Sequence, residues 1–472
     1  MNLRKNFIYS SILTTSTYLV SLVTYPYLSR TLGLSNIGIV NFIDNLVNYF
    51  VFFSMMGITT IGVREIAATR NNAEKLSTAF SSLLSLTGCS TLLAVIVLWI
   101  AMYTVPTLIP HQDLLYIGIV KLLFNLFLME WFFIGMENFE YITRRTIIVR
   151  LLFVICVFVF IKEPSDYKIL YLLMVSMVIA NALINMIYSR KFVSFSIKAI
   201  DLCPYYKPYL IMGIYILLTN VYTSMNVVWL GFVTNTDQVG YYTTATKLHT
   251  IIIAILISFS NILFPRVSNL LSEGKIDEYW KKINTSFEAI FLFAFPTIIF
   301  MLTGGPELLH IFVGDGFEGS YVPLRIIAPL ILIIGIEQIL VIQILMAMHQ
   351  DKIVLRNSLI GAFSAVVFNI LLTANMGAIG AAIVWVIAES VIMISSIIYI
   401  YHKYHFLIPF NKLFAYCISY IPLLLISIII HYNIDNKYTF LCSLFVLTIA
   451  YTFITEVFIL KNSIVRQMLK YT

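Results

Sequence analysis

Several charged and amide side chains of this chain lie inside long apolar stretches, where placing a polar group in an apolar environment costs free energy. Asp44 stands among Asn41, Asn45 and Asn48, and spacings of three and four residues place these side chains on one helical face. A charge at the centre of a bilayer costs about 2.5–3.5 kcal/mol, so such a residue usually faces a wet cavity or a partner. The amides offer hydrogen bonds to sugars, and the carboxylate is a candidate for a gate or for ion coupling.

Polar side chains also occupy later apolar stretches. Tyr215, Tyr222 and Asn226 repeat the helical spacing and offer a second sugar-compatible face. Glu337 and Glu389 are further carboxylates within apolar segments, and they are candidates for binding a coupling ion. Helix packing is the alternative explanation for the weaker polar stripes, because Ser and Thr often let membrane helices approach one another.

The composition identifies the elements that must position these residues. The chain has 472 residues, of which 60% are hydrophobic and 11% are charged, whereas ordinary soluble proteins are about 25% charged. Apolar runs recur that are long enough to cross a hydrocarbon core of about 30 Å. We therefore predict an all-α polytopic membrane protein. The five cysteines show no metal or redox spacing, and we predict no metal and no cofactor.

Hydropathy and helix breakers predict fourteen transmembrane helices. The first follows Arg4 and Lys5 and lacks an obvious cleavage site, so we interpret it as an uncleaved span and not as a signal peptide. The predicted spans are 7–28, 37–61, 77–104, 113–135, 146–161, 167–188, 208–230, 239–264, 284–304, 322–347, 354–374, 377–400, 412–431 and 438–460.

The distribution of basic residues orients these spans. With the amino terminus in the cytoplasm, 22 of the 30 Lys and Arg residues fall in cytoplasmic segments and 4 in outer loops. This bias follows the positive-inside rule and predicts that both termini are cytoplasmic. The net charge of +7 is therefore explained mostly by the basic residues of the cytoplasmic loops, which orient the spans. We predict no nucleic-acid partner.

Short segments recur at similar offsets, which indicates an internal repeat. "SNIG" at 35–38 resembles "DQVG" at 237–240, and "GMENFEYITRRT" at 135–146 resembles "AMHQDKIVLRNS" at 347–358. Six spans separate the partners, so the halves share one orientation. We predict two six-helix bundles related by a pseudo-two-fold axis along the membrane normal. The predicted domains are the two bundles, 1–195 and 196–405, and two additional helices with a cytoplasmic tail, 406–472.

Four charged residues lie at a similar predicted depth. They are about three to eight residues from the outer ends of their spans, or roughly 5–12 Å at 1.5 Å per residue: Asp44, Lys121, Lys247 and Arg325. Lys121 and Arg325 could equally snorkel to the interface. The repeat offset of 202 places Asp44 beside Lys247, and we predict an ion pair between them that closes the outer side.

Longer motifs indicate a family. "YPYLSRTLGLSNIGIVNF" at 25–42, followed by "GITTIGVREIA" at 57–67, resembles the opening of the bacterial polysaccharide flippases of the Wzx or O-antigen type. These belong to the multidrug/oligosaccharidyl-lipid/polysaccharide exporter superfamily. "GYYTTATKL" at 240–248 and "GAIGAAIVWVIAE" at 377–389 resemble later family segments. The similarity extends to about residue 400.

The resemblance implies a transporter with a central cavity and alternating access. Its substrate would be an oligosaccharide repeat unit on undecaprenyl pyrophosphate, flipped to the outer leaflet of the bacterial inner membrane for O-antigen, capsule or exopolysaccharide. Implied partners are membrane lipid, Na⁺ or H⁺, and a polysaccharide polymerase with a chain-length regulator. The family's cationic cavity would correspond here to Arg30, Arg64, Lys121, Lys247 and Arg325.

Two other functions remain open at this point. Cation-coupled multidrug efflux would favour carboxylates and aromatic faces for cationic drugs, whereas the outer cluster is net basic. A membrane-embedded polysaccharide polymerase would need catalytic groups, which such enzymes usually present on a sizeable loop, and no predicted loop exceeds about 20 residues. The sequence also lacks GxxxxGK[ST], HExxH and GxSxG motifs, so we do not predict an enzyme.

Overall fold

The protein divides into two compact, wholly helical units. The computed structural model describes residues 3–196, 200–462 and 464–466, without the side chains of 3–8, 10 and 215–224. Within these ranges every regular element is a helix, and the predicted all-α membrane fold is confirmed. The units are Met1–Gly240 and Tyr241–Thr472.

The first unit contains nine α-helices in the described part of the chain. They are α1 (Leu3–Leu32), α2 (Leu34–Met55), α3 (Ile58–Thr69), α4 (Ala73–Thr104), α5 (Gln112–Asn125), α6 (Glu130–Gly135), α7 (Phe139–Phe160), α8 (Tyr167–Ser189) and α9 (Cys203–Val233). Two predicted spans are broken. The 37–61 span is interrupted at Met56, with φ 33°, and the 113–135 span at Met129, with φ 42°. Left-handed backbone cannot continue a right-handed helix.

The second unit includes most of α10 (Thr236–Ser272). Its other α-helices in the described ranges are α11 (Ile276–Val313), α12 (Tyr321–Ile327), α13 (Leu330–Glu337), α14 (Asp351–Phe368), α15 (Ala374–Tyr404), α16 (Phe410–Asn433) and α17 (Lys437–Ile454). Three π-helical segments extend these helices: Gln338–Met346, Asn369–Thr373 and Thr455–Ile459.

Ten helical stretches among the described residues are long and apolar enough to cross a membrane. One of them, Asp351–Tyr404, contains two predicted spans. Gly377, with φ 55° and ψ −132°, breaks the helix at the first residue of the second predicted span, and glycine adopts this backbone without the steric penalty of a Cβ. Three other predicted spans coincide with α1, α7 and α9. The count of fourteen and the pseudo-symmetry stay predictions.

Helix α9 packs against α2, α3 and α4 of the first unit. The Tyr209 hydroxyl donates to the Ser54 carbonyl at 3.1 Å and lies 2.7 Å from Ser90 Oγ. A Cβ on Gly57 would lie 2.5 Å from the Tyr209 carbonyl oxygen. The backbone of α9 is therefore in direct contact with the break between α2 and α3, which we call the α2–α3 break. The compact unit therefore extends to Gly240, and the predicted repeat boundary near residue 195 stays a prediction.

Aromatic side chains fill the core beneath the α2–α3 break. Phe80, Trp131 and Phe132 are buried there with Ile58 and Ile66, and the Phe80 and Trp131 rings stack at 5.9 Å. Large apolar side chains are conversely exposed on the outside of both units, as expected for surfaces that face lipid tails.

The two carboxyl-terminal helices are part of the second unit. Both α16 and α17 pack against α11. Phe291 and Phe295 of α11 contact the Tyr416 ring of α16, each with a centroid separation of 5.5 Å. The additional helices predicted at the end of the chain thus extend the core of this unit.

Candidate functional site

The polar face predicted around Asp44 is a hydrogen-bonded cluster in the first unit. Lys121 Nζ on α5 donates to Asp44 Oδ1 and to Asn48 Oδ1 on α2, both at 2.7 Å. Asn48 Nδ2 donates to Asp44 Oδ2 at 3.2 Å. The Lys121 and Asp44 side chains are only 13% and 16% exposed. We call these three residues the α2–α5 cluster.

A glycine allows α5 to approach α2 at this level. Gly118 lies three residues before Lys121, and a Cβ at Gly118 would stand 2.5 Å from Val47 Cγ2. It would also stand 3.2 Å from the hydroxyl of Tyr171, a fully buried residue of α8. A larger residue at position 118 would push α5 away from α2. The close packing at Gly118 therefore keeps the Lys121 ammonium within hydrogen-bonding distance of Asp44.

The α2–α5 cluster is electrically balanced but has a spare donor. An ammonium group has three N–H donors, and Lys121 uses two of them within the described structure. The remaining N–H can bind an anionic or hydroxyl-bearing ligand. A ligand with a stronger negative charge than Asp44 could also compete for the whole ammonium group.

The other predicted amides do not all join this cluster. Asn45 Nδ2 donates to the Asn41 carbonyl at 2.8 Å, one turn back along α2. Asn226 on α9 is buried. The side chains of Tyr215 and Tyr222 lie outside the described residues, so their predicted role as a sugar surface stays a prediction.

The remaining predicted cations have different environments. Arg64 on α3 is exposed and pairs with Glu65 at 2.9 Å. Arg325 on α12 is exposed, and its Nε donates to the Leu302 carbonyl at 3.0 Å. Arg30 is exposed in the last turn of α1. A shared pyrophosphate site for all of them stays a prediction.

Lys247 lies on α10 in the second unit and is partly exposed. The ion pair predicted between Asp44 and Lys247 would join the two units and stays a prediction. The cation that contacts Asp44 inside the first unit is Lys121. Both residues of this observed pair were in the predicted set, but the sequence suggested a different partner for Asp44.

In the second unit, the two predicted carboxylates meet. Glu337 at the end of α13 contacts the carboxyl group of Glu389 on α15. Glu389 Oε1 accepts a hydrogen bond from Trp385 Nε1 at 3.0 Å. Glu337 Oε2 is inaccessible and accepts no hydrogen bond from a described residue. We call Glu337 and Glu389 the carboxyl pair.

Sequence reasoning missed a buried cation in the first unit. Arg145 on α7 is 5% exposed; its guanidinium donates to Asn185 Oδ1 on α8 and to Glu130 Oε1 on α6, the latter at 3.1 Å. The positive-inside count treated Arg145 as a loop residue. Its position one residue from Arg144 gave no signal that it points inward.

A second missed group lies where α16 meets the end of α17. Glu456 is fully buried, and its two oxygens accept from the hydroxyls of Tyr416 at 2.8 Å and Tyr420 at 3.0 Å. Asn462 Nδ2 donates in turn to the Tyr416 hydroxyl at 2.8 Å. The four-residue spacing of the tyrosines places both on one face of α16 and was the available signal.

One group among the described residues could hold a metal ion. His310, Asp315 and Glu318 bring ligand atoms within 4.8 Å of one another near the carboxyl end of α11. Asp315 and Glu318 are exposed, and Glu318 Oε1 already accepts the Gly316 N–H at 3.1 Å. This arrangement is typical of a solvated polar loop, so we assign it no ion.

Comparisons with known proteins agree with the predicted resemblance. Residues 3–271 match the family described as "Polysaccharide biosynthesis protein". A protein of Escherichia coli (strain K12), described as a candidate O-antigen transporter, is 24% identical over 405 residues; these cover 83% of this chain and 95% of that protein.

Two solved structures show the same fold. The lipid II flippase MurJ in its inward closed conformation aligns with a TM-score of 0.80 at 14% identity and covers 96% of this chain and 98% of its own. An outward-facing multidrug resistance transporter of the MATE family, in the MOP superfamily, has a TM-score of 0.57 at 12% identity and covers 83% and 92%. The family match spans more than half of the sequence, and the chain belongs to the polysaccharide biosynthesis protein family.

Proposed function

We propose that this protein is a flippase that moves a lipid-linked oligosaccharide from the cytoplasmic to the outer leaflet of the bacterial inner membrane. The α2–α5 cluster carries this proposal, because it holds a partly exposed ammonium group inside a membrane-spanning bundle. Membership of the polysaccharide biosynthesis family and the flippase named among its structural neighbours support the same function.

Lys121 is suited to recognise the phosphate groups of such a lipid. Charge-assisted hydrogen bonds between an ammonium and a phosphate are short and roughly twice as strong as neutral ones. Undecaprenyl pyrophosphate, the carrier that we propose, presents about two negative charges, so it can compete with Asp44 for Lys121. Asp44 then serves as the resting partner that keeps the ammonium compensated between transport events.

Polar side chains near Lys121 can serve the sugar while the lipid tail stays in the membrane. Asn48 belongs to the cluster, and Asn41 and Asn45 continue the polar face of α2 by one turn. Amides both donate and accept hydrogen bonds, which matches sugar hydroxyls. We propose that Arg30, Arg64, Lys247 and Arg325 assist at the two mouths of the pathway.

We propose that both termini are cytoplasmic, as the positive-inside bias predicts. The product would be delivered on the outer leaflet to a polysaccharide polymerase and its chain-length regulator. Transport against a gradient would need a coupling ion, H⁺ or Na⁺. Drug efflux is less well supported at the α2–α5 cluster, because a pocket for cationic drugs favours a carboxylate that is not already paired with a cation, and Asp44 is paired with Lys121.

A flipping assay tests this function. The purified protein would be reconstituted into vesicles that contain an undecaprenyl-pyrophosphate-linked oligosaccharide with a fluorescent sugar. Access of a membrane-impermeant quencher reports how much of the sugar crosses the bilayer. We expect crossing to be faster than in empty vesicles, with no glycosidic bond made or broken. Bond chemistry without crossing would favour the polymerase function. If neither crossing nor bond chemistry is observed, both functions are contradicted.

The variant Lys121→Ala tests the proposed site against a matched control. Lys168 on α8 forms a comparable ion pair with Asp113 on α5, at 2.6 Å, but the two side chains are 49% and 70% exposed. We expect Lys121→Ala to lower the flipping rate at least tenfold and Lys168→Ala to leave it within about twofold, since the loss of one charge-assisted bond to phosphate is worth about 1.5–3 kcal/mol. If both variants lower the flipping rate equally, Lys121 is not part of the substrate-binding site.

A further inference from the structure

We propose that a groove between α14 and α15 of the second unit binds an anionic phospholipid. Arg356, Tyr399 and Lys403 would hold the phosphate of the head group, and an acyl chain would lie along the apolar wall beyond them. We call this feature the α14–α15 groove. Lipid binding there does not depend on transport, and only its assignment to the cytoplasmic leaflet rests on the proposed topology.

The α14–α15 groove is polar at one end and apolar along its length. It has a volume of about 490 Å³, and its polar end is formed by Arg356 near the start of α14 and by Tyr399 and His402 near the end of α15. The wall beyond this end includes three side chains that are 40–53% exposed: Ile360, Ile394 and Ile398. A charged head and an apolar tail would meet these two parts in the same order.

Two cations face the Tyr399 ring at the polar end. The guanidinium carbon of Arg356 and Lys403 Nζ each lie 5.5 Å from the ring centroid, within the range of cation–π attraction. Lys403 Nζ donates to the Tyr399 hydroxyl at 3.1 Å and to Gln350 Oε1 at 2.7 Å. Asn357 Oδ1 accepts from Nε and Nη2 of Arg356 at 3.3 Å and 3.1 Å. The ring and the two amides therefore position both cations.

Both cations retain N–H donors for a phosphate group. An ammonium group has three donors and a guanidinium five, and Lys403 and Arg356 each use two within the described structure. Neither residue forms an ion pair with a carboxylate of the described chain. A phosphate supplies both the missing negative charge and several acceptor oxygens, so it matches this end of the groove.

The apolar wall favours a phospholipid over a free phosphate ion. An ion would use the polar end alone and leave the exposed isoleucines without a role. From His402 back to Val391, α15 rises by roughly 16 Å at 1.5 Å per residue, which is about the thickness of one hydrocarbon leaflet. Basic pockets between transmembrane helices on the cytoplasmic side bind anionic lipid head groups in this way.

The first unit contains a similar groove at corresponding positions of the predicted repeat. This groove, of about 480 Å³, is lined by Arg144 and Tyr188, which lie 212 and 211 residues before Arg356 and Tyr399. Lys191 Nζ lies 5.2 Å from the centroid of the Tyr188 ring. We call it the α7–α8 groove. An arginine, a tyrosine ring and a lysine are thus combined in both units.

One position makes the two grooves electrically different. Glu140 lines the α7–α8 groove and pairs with Arg144 at 2.5 Å, one helical turn away. The same offset of 212 leads from Glu140 to Lys352, which is exposed at the start of α14. A carboxylate repels a phosphate, whereas an ammonium attracts it. We therefore expect the α14–α15 groove to bind an anionic lipid more tightly than the α7–α8 groove does.

Native mass spectrometry of the full protein in detergent measures this binding. Phosphatidylglycerol is the anionic probe, and phosphatidylcholine is the zwitterionic control. We expect the unmodified protein to bind its first phosphatidylglycerol at least about fivefold more tightly than phosphatidylcholine, and Arg356→Ala/Lys403→Ala to abolish this preference. Arg144→Ala is the matched control and should change the affinity by less than about twofold, because Glu140 already compensates Arg144. Equal binding of the two lipids, or a preference that survives the double variant, overturns the proposal.

A charge reversal separates lost binding from lost folding. Lys352→Glu places a carboxylate one turn from Arg356, as Glu140 stands to Arg144 in the first unit. Since Lys352 is exposed, the thermal unfolding midpoint in lipid-free detergent should not change. We expect phosphatidylglycerol binding to weaken about fivefold, and less in Lys352→Gln, which removes the charge without adding the opposite one. An unchanged affinity in Lys352→Glu contradicts the placement of the head group at this end.

Competition identifies the source of the phosphate. Neither inorganic phosphate nor undecaprenyl phosphate, each at the concentration of the phosphatidylglycerol, should displace more than half of the bound lipid. If inorganic phosphate does, the groove is an anion site; if undecaprenyl phosphate does, it takes the carrier lipid, and in both cases the phospholipid proposal is wrong. A protein that binds phosphatidylglycerol as expected and never flips contradicts the proposed function and leaves the lipid site intact.

Discussion

The two units surround the carboxylates of their apolar segments in opposite ways. In the first unit, Asp44 has a cation from the neighbouring helix at 2.7 Å and an amide beside it. In the second unit, Glu337 faces another carboxyl group. The first arrangement is complete without any mobile ion, and a ligand can either bind the third N–H of Lys121 or compete with Asp44 for the ammonium group. In the second, Glu337 Oε2 accepts no hydrogen bond from a described residue.

Glu456 shows that burial alone does not create this difference. It is fully buried, yet both of its oxygens accept hydrogen bonds from neutral tyrosine hydroxyls. Neutral donors can stabilise a buried carboxyl group without a cation. The number and type of donors therefore distinguish Glu456 from Glu337.

The largest effect is expected where a paired charge loses its partner. Lys121→Met leaves Asp44 with Asn48 as its remaining donor in the cluster, and we expect the free energy of unfolding to fall by roughly 3 kcal/mol. Asp44→Asn/Lys121→Met removes both charges and should recover most of the loss. Equilibrium unfolding in detergent micelles measures both. A double variant as unstable as the single one would mean that the uncompensated charge is not the cause.

A smaller effect is expected where a buried carboxyl group loses a neutral donor. Tyr420→Phe removes the hydrogen bond to Glu456 Oε1, and an unsatisfied buried acceptor costs about 2 kcal/mol. Tyr432→Phe on the same helix is the control, because Tyr432 is 82% exposed. Thermal unfolding should separate the two variants; identical midpoints would show that the tyrosine hydroxyl does not stabilise Glu456.

The smallest effect is expected at the exposed ion pair. Lys168→Ala breaks the contact with Asp113, but exposed pairs contribute about 0–1 kcal/mol, and the difference should vanish at high salt. Unfolding measured at low and high ionic strength checks this. A loss as large as that of Lys121→Met would show that exposure does not distinguish the two lysine–aspartate pairs.

The sequence predicted the fold class and many of the polar positions, because both follow from local pattern. Apolar run length indicates spans, and the spacing of Asp44 and Asn48 places them on one face of α2. Gly377 likewise was the first residue of the predicted span 377–400, and the structure has a break there. The interruptions at Met56 and Met129 gave no such signal, since left-handed backbone at a methionine depends on what packs around it.

The partners of the polar residues depend on tertiary structure and were harder to predict. The choice of Lys121 for Asp44 depends on how closely α5 approaches α2 at Gly118. The meeting of Glu337 with Glu389 requires that α13 and α15 pack together. Arg145 turns inward because Asn185 and Glu130 are available on neighbouring helices. No spacing along the chain contains this information.

The contact of α9 with the first unit has a consequence for biosynthesis. Ser54, Ser90 and the α2–α3 break acquire their contacts with Tyr209 only after residues 203–233 have been translated and inserted. Until then Gly57 and the break beside it lack the α9 backbone that covers them. We therefore expect the packing of the first unit to be completed only when its last helix has been inserted.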